Sequence, residues 1–405
     1  MSLFAALRTP REILFGAGQR KSLGLVARRH GTRVLVCTDA RLAGDAVFAE
    51  LRGLLTDAGL TVRVDATVEP DVPVASALAS AAAARTFDPE VIIGLGGGSC
   101  LDLAKCVAVL LAHGGKPQDY YGEFKIPGPV APVIAVPTTA GTGSEVTPVA
   151  VLSDPDRALK VGISSPHLIP EVAICDPELT LTCPPGLSAV AGADALAHAI
   201  EAFTAIRRTP DAALPQEKVF VGKSAMTDHC ALLAIRLLAN SLERACAHGG
   251  DLAARSDVML AAMAAGMAFG TAGTAAAHAI QYPIGTLTHT AHGLGVACVL
   301  PYVMSYNRAV RVAEFAEIGR TMGLAAANDE ALADAAIDRV ATLFATIGIP
   351  ANLQVLGLPA DKLAWTAEQA LGIGRLINNN PRPLDAAGMG RLLQAAFVGD
   401  LQAAR

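Results

Sequence analysis

The sequence predicts an α/β amino-terminal domain with a parallel sheet, followed by an all-helical carboxy-terminal domain. Short apolar runs alternate with helix-like segments up to residue 183, and strand-like runs cease after the Pro-rich stretch 177–185. We therefore expect two domains, 1–183 and 184–405, which a chain of 405 residues has the length to form. Hydrophobic residues make up 52% of the chain and charged residues 17%, so each domain can bury a core.

The apolar runs are the expected strands of the amino-terminal sheet. They lie at residues 33–38, 61–64, 91–95 and 132–136. The run at 91–95 is continuously apolar, as expected of a strand buried on both faces. Helix-like segments separate the runs, near residues 41–58, 73–86 and 101–113. Strands that alternate with helices imply a parallel sheet with right-handed crossovers.

The second half of the chain shows helical patterns alone. We expect helices at 186–206, 224–246, 251–280, 311–323, 329–347, 366–376 and 385–398. Residues 207–222 lack periodicity and are expected to form a surface loop. No Asp, Glu, Lys or Arg occurs from 258 to 307, a length that could include a membrane span. Because this run is rich in small residues and contains three histidines, we favour a buried helical core around a polar site.

A glycine-rich turn follows the apolar run at 91–95. Gly96, Gly97 and Gly98 allow the backbone to approach a ligand closely. Ser99 is a candidate N-cap for the next helix, and Asp102, three residues later, completes a pattern like a capping box. Backbone N–H groups at such a helix start suit a phosphate or pyrophosphate. A tight turn without a ligand is the alternative, although it would need only one glycine.

Two further segments stand at the expected carboxyl ends of strands, where open α/β sheets bind ligands. Asp39 could hold a ribose hydroxyl and repel a 2′-phosphate, which would favour NAD over NADP. It could equally cap the following helix, and the sequence leaves both roles open. Thr138, Thr139 and Thr142 offer hydroxyls that can bind the phosphate or amide groups of a dinucleotide.

Candidate metal ligands occur only in the helical half. Asp194 and His198 are spaced i and i+4, which places them on one helical face. His278 and His292 stand in uncharged helical surroundings. Any one of these could be a core residue, but together they form a three-nitrogen, one-oxygen set suited to a divalent transition ion. His289 could be a further ligand, although we favour a contact to the substrate or to a ligand.

Charge and cysteine usage exclude several classes. The net charge is −5 and no Lys/Arg-rich run is present, so we expect no nucleic-acid partner, and we expect no membrane partner either. The eight cysteines are scattered, as is typical of a reducing compartment, and the amino terminus does not resemble a signal peptide. We expect a cytoplasmic protein. The apolar helical half favours a homodimer or a larger homo-oligomer.

The ordered motifs resemble those of the iron-containing (group III) alcohol dehydrogenase family over nearly the whole chain. The resemblance is carried by Gly96–Ser99 with Asp102 and Lys105, by Pro137–Thr139 with Gly141–Glu145, by Asp194 and His198, by His278 and His292-Gly293, and by Asn378–Pro381. It implies the dehydroquinate synthase-like architecture, with a nucleotide-binding domain, a helical domain and a metal in the cleft between them. Asp194, His198, His278 and His292 match its four ligand positions, and Asp39 matches a position associated with NAD.

The resemblance implies NAD and a divalent ion, Fe²⁺ or Zn²⁺, as cofactors. The expected reaction is hydride transfer between NAD(H) and a small primary alcohol or aldehyde. Tyr282 occupies a position where many relatives carry histidine, so the proton-transfer group stays open among Tyr282, His289 and a cofactor ribose hydroxyl with water.

Two alternatives differ in substrate or reaction. The first is a hydroxyacid–oxoacid transhydrogenase or short-chain hydroxyacid dehydrogenase of the same family, which residues 207–222 and 161–165 resemble more weakly. It would need a cation near the substrate carboxylate, for which Lys160 is the candidate. The second is a non-redox metal lyase of the dehydroquinate synthase kind. The uncharged run at 258–307 disfavours it, because a phosphorylated substrate needs basic residues.

Overall fold

The computed structural model describes residues 4–157 and 159–405, and the chain divides into two compact units. The α/β unit comprises residues 8–183 and 212–219, and the helical unit comprises residues 4–7, 184–211 and 220–405. The short segment 212–219 belongs to the α/β unit because polar contacts hold it there. Arg8 donates to the carbonyl oxygen of Val219 at 3.2 Å, and the Val219 N–H donates to Glu123 at 2.7 Å.

Nine strands form two sheets in the described part of the α/β unit. They are β1 (Glu12–Phe15), β2 (Arg33–Cys37), β3 (Thr61–Asp65), β4 (Val91–Gly96), β5 (Gly122–Glu123), β6 (Val133–Pro137), β7 (Val149–Leu152), β8 (Val161–Ser164) and β9 (Val172–Cys175). The main sheet has the order β1-β9-β6-β4-β2-β3 and every pair in it is parallel, which confirms the predicted architecture. The small sheet has the order β5-β8-β7.

Helices cover the faces of the main sheet. They are α1 (Leu23–Arg28), α2 (Ala40–Ala43), α3 (Ala46–Asp57), α4 (Val74–Arg85) and α5 (Gly98–His113). Strand β4 is buried along its whole length, as its continuous apolar run predicts, and α5 packs directly against it. The start of α5 therefore lies at the carboxyl end of the central strands, where ligands bind in such sheets.

The remaining helices, apart from one in segment 212–219, form the helical unit. They are α6 (Pro185–Thr204), α7 (Leu214–Glu217), α8 (Ala225–Ala247), α9 (Leu252–Ala272), α10 (Ala276–Thr288), α11 (His292–Asn307), α12 (Val312–Thr321), α13 (Asp329–Thr346), α14 (Leu353–Leu356), α15 (Leu363–Leu371), α16 (Gly374–Ile377) and α17 (Ala386–Val398). Helix α7 is the one in segment 212–219, within the region predicted to be a loop. Helix α9 has the length and composition to cross a membrane, yet 67% of its most apolar window is buried in the fold.

Three helix predictions are wrong in the same way, because each predicted helix is broken in two. The segment predicted near 41–58 is divided into α2 and α3. The predicted helix 251–280 ends at Ala272, where Gly273 takes a φ of 83° that helical residues do not adopt, and α10 starts three residues later. His278 therefore lies in the first turn of α10 rather than at the end of a long helix. The predicted helix 366–376 is likewise divided into α15 and α16.

Candidate functional site

The glycine turn between β4 and α5 requires its glycines at specific points. Gly96 has a φ of 143°, and a Cβ there would lie 2.5 Å from the Cys100 sulfur. Gly97 is the extended N-cap of α5, and its carbonyl accepts the N–H groups of Cys100 and Leu101 at 3.0 and 3.3 Å. The earliest N–H groups of any helix have no carbonyl partner within it, so the start of α5 presents donors to an anion.

The threonine segment contacts this turn directly. The Thr138 N–H donates to the Gly96 carbonyl at 2.9 Å. A Cβ on Gly98 would lie 2.7 Å from Cγ2 of Thr142. The two glycine- and hydroxyl-rich motifs, predicted from separate parts of the sequence, thus form one surface. Gly98 is glycine because Thr142 occupies the space that a side chain would need.

The predicted capping box is absent, because α5 begins at Gly98 and Ser99 lies inside the helix. The Ser99 hydroxyl instead accepts the N–H of Asp71 at 3.1 Å. The Asp102 carboxylate accepts the Ser144 hydroxyl at 2.6 Å and the Val151 N–H at 3.0 Å. From this position Asp102 fixes the segment that follows Thr142.

A buried ammonium group holds the same segment. Lys105 donates to the carbonyl oxygens of Thr147 and Val149 at 3.0 and 2.7 Å, and to the carbonyl and hydroxyl oxygens of Ser144 at 2.7 and 2.9 Å. Burial lowers the pKa of Lys105 to about 8, although Asp102 and Glu145 oppose the shift. Burial also raises the pKa of Glu145 to about 7. We call Asp102, Lys105, Ser144 and Glu145 the lysine cluster.

Asp39 takes one of the two roles that its sequence position left open, the helix cap, and the ribose contact stays a prediction. One carboxylate oxygen accepts the Leu42 N–H at 2.8 Å and caps α2, which confirms the capping role. The other oxygen, Oδ2, lies 3.9 Å from the Cys100 sulfur and 3.8 Å from the place of a Cβ on Gly96. It therefore borders the glycine turn, where a ribose hydroxyl could reach it.

Three of the four predicted metal ligands converge within the helical unit, and the fourth, His198, lies beside them. Donor atoms of Asp194, His278 and His292 lie within 4.8 Å of one another. One oxygen of Asp194, Oδ1, is 3.6 Å from Nε2 of His278 and 4.0 Å from Nε2 of His198. The His198 ring also stacks on the His278 ring, with centroids 4.6 Å apart. These four residues, which we call the histidine cluster, come from helices α6, α10 and α11.

Gly293 explains how α11 comes close enough to α6. A Cβ on Gly293 would lie 2.6 Å from the carbonyl oxygen of Val190 and 2.8 Å from Cβ of Asp194. Since one of these atoms is backbone, a side chain at this position would push the helices apart. The absence of a Cβ therefore brings His292 beside Asp194. The sequence showed a glycine after His292 but gave no reason for it.

Glu201 is the residue of this site that sequence reasoning missed. It is 2% exposed and accepts the backbone N–H groups of Ala275 and Ala277 at 2.8 and 2.6 Å. Its carboxylate also lies 2.6 Å from Nδ1 of His278. A signal was present, because Glu201 follows His198 by three residues and so lies on the same helical face.

The electrostatics of His278 follow from these neighbours. Burial lowers the pKa of His278, but Glu201 and Asp194 oppose it, and the net direction is upward. Nε2 of His278 is buried and has no hydrogen-bond partner among the residues that the structure describes. A buried polar atom of this kind needs an explanation, and a metal ion bound at this site would supply one.

The donor set fits a divalent transition ion. Donor atoms 3.6 to 4.0 Å apart are too far apart for a hydrogen bond. They are close enough to share one ion, because such ions bind nitrogen and oxygen at about 2.0–2.2 Å. Imidazole and carboxylate together accept Fe²⁺ and Zn²⁺.

The structure separates the two predicted proton-transfer side chains. The Tyr282 ring lies beside His292, with centroids 5.9 Å apart. His289 is exposed and ends α10 with a φ of 53°, its N–H donating to the Gly285 carbonyl at 2.9 Å. Tyr282 is thus the candidate that borders the histidine cluster.

A glycine-rich turn at the carboxyl end of a parallel sheet, in a chain that also carries a cluster of imidazoles and a carboxylate, is the arrangement expected of a metal-dependent, dinucleotide-linked oxidoreductase. Family models agree with this class. The model described as iron-containing alcohol dehydrogenase matches residues 10–177, and the model of that family's carboxy-terminal region matches residues 188–397. The chain belongs to the iron-containing alcohol dehydrogenase family, whose members use NAD(H) and a divalent metal.

Individual relatives span almost the whole chain. It is 35% identical to long-chain-alcohol dehydrogenase 1 of Geobacillus thermodenitrificans, over 93% of this chain and 92% of that protein. It is 30% identical to the NAD-dependent methanol dehydrogenase of Bacillus methanolicus, over 96% and 98% of the two chains. The crystal structure of a 1,3-propanediol oxidoreductase matches with a TM-score of 0.90 and 32% identity, over 97% of this chain and 100% of that one. The protein is an alcohol and aldehyde oxidoreductase of this family.

Proposed function

We propose that the protein interconverts a small primary alcohol and its aldehyde, with NAD(H) as the hydride carrier. The single observation that carries the proposal is the histidine cluster, in which a carboxylate and imidazoles from three helices meet around Nε2 of His278, a buried atom that no described residue hydrogen-bonds. The helical unit supplies the metal ligands, and the α/β unit supplies the nucleotide site.

Asp194, His198, His278 and His292 would hold the ion. A divalent ion bound there would supply Lewis-acid polarisation of the substrate oxygen, and a bound nicotinamide would supply the hydride chemistry. The protein contributes a fixed geometry, because Gly293 sets the approach of α11 to Asp194. Burial keeps Asp194, His198 and His278 from bulk water, which strengthens the charge interactions among them.

In this proposal the glycine turn binds the diphosphate of the cofactor. Gly96, Gly97, Gly98 and Ser99 present the N–H groups at the start of α5, and Asp39 Oδ2 accepts a ribose hydroxyl. Hydroxyls of Thr138, Thr139 and Thr142 complete the site on the side of the nicotinamide. Asp102 contributes indirectly, because its carboxylate fixes the segment that follows Thr142. A carboxylate at Asp39 repels a 2′-phosphate, which is why we propose NAD rather than NADP.

Proton transfer is assigned to Tyr282. Its ring borders His292 and is only partly buried, so its hydroxyl can exchange a proton both with the substrate oxygen and with water. His289 is exposed at the end of α10 and is proposed to relay the proton to solvent.

Metal analysis tests the proposal. Protein purified without oxygen is expected to contain about one divalent ion per chain and to reduce NAD⁺ with primary alcohols. His278→Ala and Asp194→Ala should lose both the ion and turnover. His229→Ala, which removes an exposed histidine of α8, should retain both. Full activity in metal-free protein would overturn the proposal.

A second candidate, an anionic hydroxyacid substrate, has one observation in its favour. Lys160, the cation expected from the sequence, belongs to the α/β unit and is paired with Asp71 at 2.6 Å. Arg375 instead lies 4.4 Å above the Phe220 ring, and its charge lowers the pKa of His278, so its field reaches the histidine cluster. If the substrate carries a carboxylate, Arg375→Met should raise KM for hydroxyacids and leave KM for uncharged alcohols unchanged.

We also propose that the protein works in the cytoplasm as a homodimer or larger homo-oligomer. All eight cysteines are free and five of them are buried, which suits a reducing compartment. The helical half is rich in apolar residues, which is the basis for proposing contacts between subunits. Light scattering coupled to gel filtration should give a mass of at least two chains, and a monomer at micromolar concentration would contradict this.

A further inference from the structure

We propose that Glu201 is a positioning residue that fixes His278 in the one tautomer able to bind a metal. The inference rests on the proposed metal function and adds to it a residue outside the four ligands. The hydrogen bonds of the Glu201 carboxylate carry it.

The Glu201 carboxylate is saturated by donors from one short stretch of chain. Oε1 accepts the N–H of Ala277 at 2.6 Å. Oε2 accepts the N–H of Ala275 at 2.8 Å and faces Nδ1 of His278 at 2.6 Å. Two of these donors belong to the backbone just before His278, so the carboxylate fixes the start of α10 as well as the ring. Its charge also faces the positive end of that helix.

The donors determine where the imidazole proton sits. An ionised carboxylate can only accept hydrogen bonds, so Nδ1 of a neutral His278 must carry the proton. Nε2 then keeps its lone pair, and this is the atom 3.6 Å from Oδ1 of Asp194. The atom that Glu201 leaves unprotonated is therefore the atom that faces the other ligands. A glutamine at 201 could donate its amide N–H to Nδ1, which would move the ring proton to Nε2 and block metal binding there.

Asn379 contacts the same turn without touching the ring, which makes it a matched control. Its amide nitrogen donates to the carbonyl oxygens of Ala272 and Thr274 at 3.0 and 3.1 Å. Loss of these bonds should loosen the junction of α9 and α10. It should leave the tautomer of His278 unchanged, because Glu201 is still present.

The test compares the affinity for Co²⁺, used alone as the metal probe, with the stability of the metal-free protein. Glu201→Gln should bind Co²⁺ about 10–100-fold more weakly than the wild type, the range found for groups that orient metal ligands. Glu201→Asp, which retains a carboxylate, should recover part of that loss. Asn379→Ala should lower the midpoint of urea unfolding in the metal-free protein but change the Co²⁺ affinity by less than about threefold.

A measurement on the wild type covers the case in which Glu201→Gln does not fold. In metal-free protein with ¹⁵N-labelled histidine, the resonance pair lost in His278→Gln should show a protonated Nδ1 and an unprotonated Nε2. The opposite tautomer would overturn the inference. So would a Glu201→Gln affinity within about twofold of the wild type, or affinity losses in both variants that simply follow their losses of stability. A wild type that binds no divalent ion would instead overturn the proposed function itself.

Discussion

The lysine cluster and the histidine cluster are both buried groups of charged side chains, yet they are completed differently. In the lysine cluster, the ammonium group of Lys105 has four oxygen atoms within 3.0 Å, all from the same unit of the chain. In the histidine cluster, Nε2 of His278 lacks a hydrogen-bond partner among the described residues, although it is buried. The lysine cluster contains its own cation, the ammonium group of Lys105. The histidine cluster contains metal-ligating atoms that could bind one.

This difference provides a physical criterion for distinguishing a cluster that stabilises the fold from a cluster that binds a metal. Burying a charge is costly unless it is paired and hydrogen-bonded, so a cluster with all its bonds made stabilises the fold. A cluster with an unpaired buried donor or acceptor has lost the hydration of that group without gaining a hydrogen bond within the chain, so it destabilises the fold. We therefore expect substitutions in the lysine cluster to change stability and substitutions in the histidine cluster to change metal content.

The largest effect on stability is expected from Lys105→Met. It removes the cation and leaves Asp102 without a compensating charge, which should lower the free energy of unfolding by about 3–5 kcal/mol. Urea unfolding of the metal-free protein measures this change. Lys160→Met, which removes the cation of an exposed pair with Asp71, should lower it by less than about 1 kcal/mol.

The comparison fails if Lys105→Met is as stable as Lys160→Met. It fails equally if Lys105→Met folds normally but loses its metal, because the two clusters would then not be separable in their effects.

The next effect is a pH dependence that originates at Glu145. Its pKa in the folded protein is about 7, above the ordinary value of 4.5, so the folded state holds a proton that the unfolded state has released. The free energy of unfolding should therefore fall as the pH rises from about 4.5 to about 7, by at most about 3 kcal/mol. Lys105, with a lowered pKa of about 8, contributes only above this window.

Glu145→Gln has nearly the same shape and no proton to lose. It should remove the part of the fall in stability between pH 4.5 and pH 7 that Glu145 causes, whereas Asp102, whose pKa burial also raises, keeps its own contribution. The variant should therefore be the more stable protein at pH 7. Parallel stability curves for the two proteins over this range would show that Glu145 does not titrate there.

The sequence predicted what depends on local pattern. The continuous apolar run at 91–95 predicted the central strand β4, and three adjacent glycines after it predicted a ligand-binding turn. The i, i+4 spacing placed Asp194 and His198 on one face, as the helix α6 confirms. Each of these features involves residues that lie close together in the sequence, so its structural role can be derived from neighbouring residues alone.

The sequence did not predict what depends on contacts across the fold. Helical periodicity does not predict the break at Gly273, because alanine-rich sequence continues on both sides of it. The role of Glu201 depends on N–H groups that lie 74 to 77 residues away along the chain. Gly293 likewise matters only because Val190 lies opposite. Tertiary packing decides each of these.

A smaller effect on stability, with a large effect on metal content, is expected from Gly293→Ala. The new Cβ would meet the Val190 carbonyl oxygen at 2.6 Å, so α11 must move away from α6 and carry His292 from Asp194. We expect a loss of about 1–3 kcal/mol in the free energy of unfolding, as in other overpacked sites. Elemental analysis should show less than one ion per chain.

The control for Gly293→Ala is Gly390→Ala, in α17, where a Cβ would meet nothing within 4 Å. It should keep the full metal content and gain up to about 1 kcal/mol, since alanine favours helix over glycine. Full metal content in Gly293→Ala would mean that His292 does not depend on the close approach of the two helices.

The smallest effect on stability is expected from Gly98→Ala, which tests the surface formed by the glycine turn and the threonine segment. The new Cβ would lie 2.7 Å from a methyl carbon of Thr142, and this side chain can rotate away, so we expect a loss of less than about 1 kcal/mol. Rotation moves the Thr142 hydroxyl, so the affinity for NADH, measured by fluorescence titration, should fall several-fold. Gly53→Ala, in the middle of α3 where a Cβ would meet nothing within 4 Å, should leave that affinity unchanged. If both variants bind NADH like the wild type, Thr142 does not contribute to the nucleotide site, and the turn alone must hold the diphosphate.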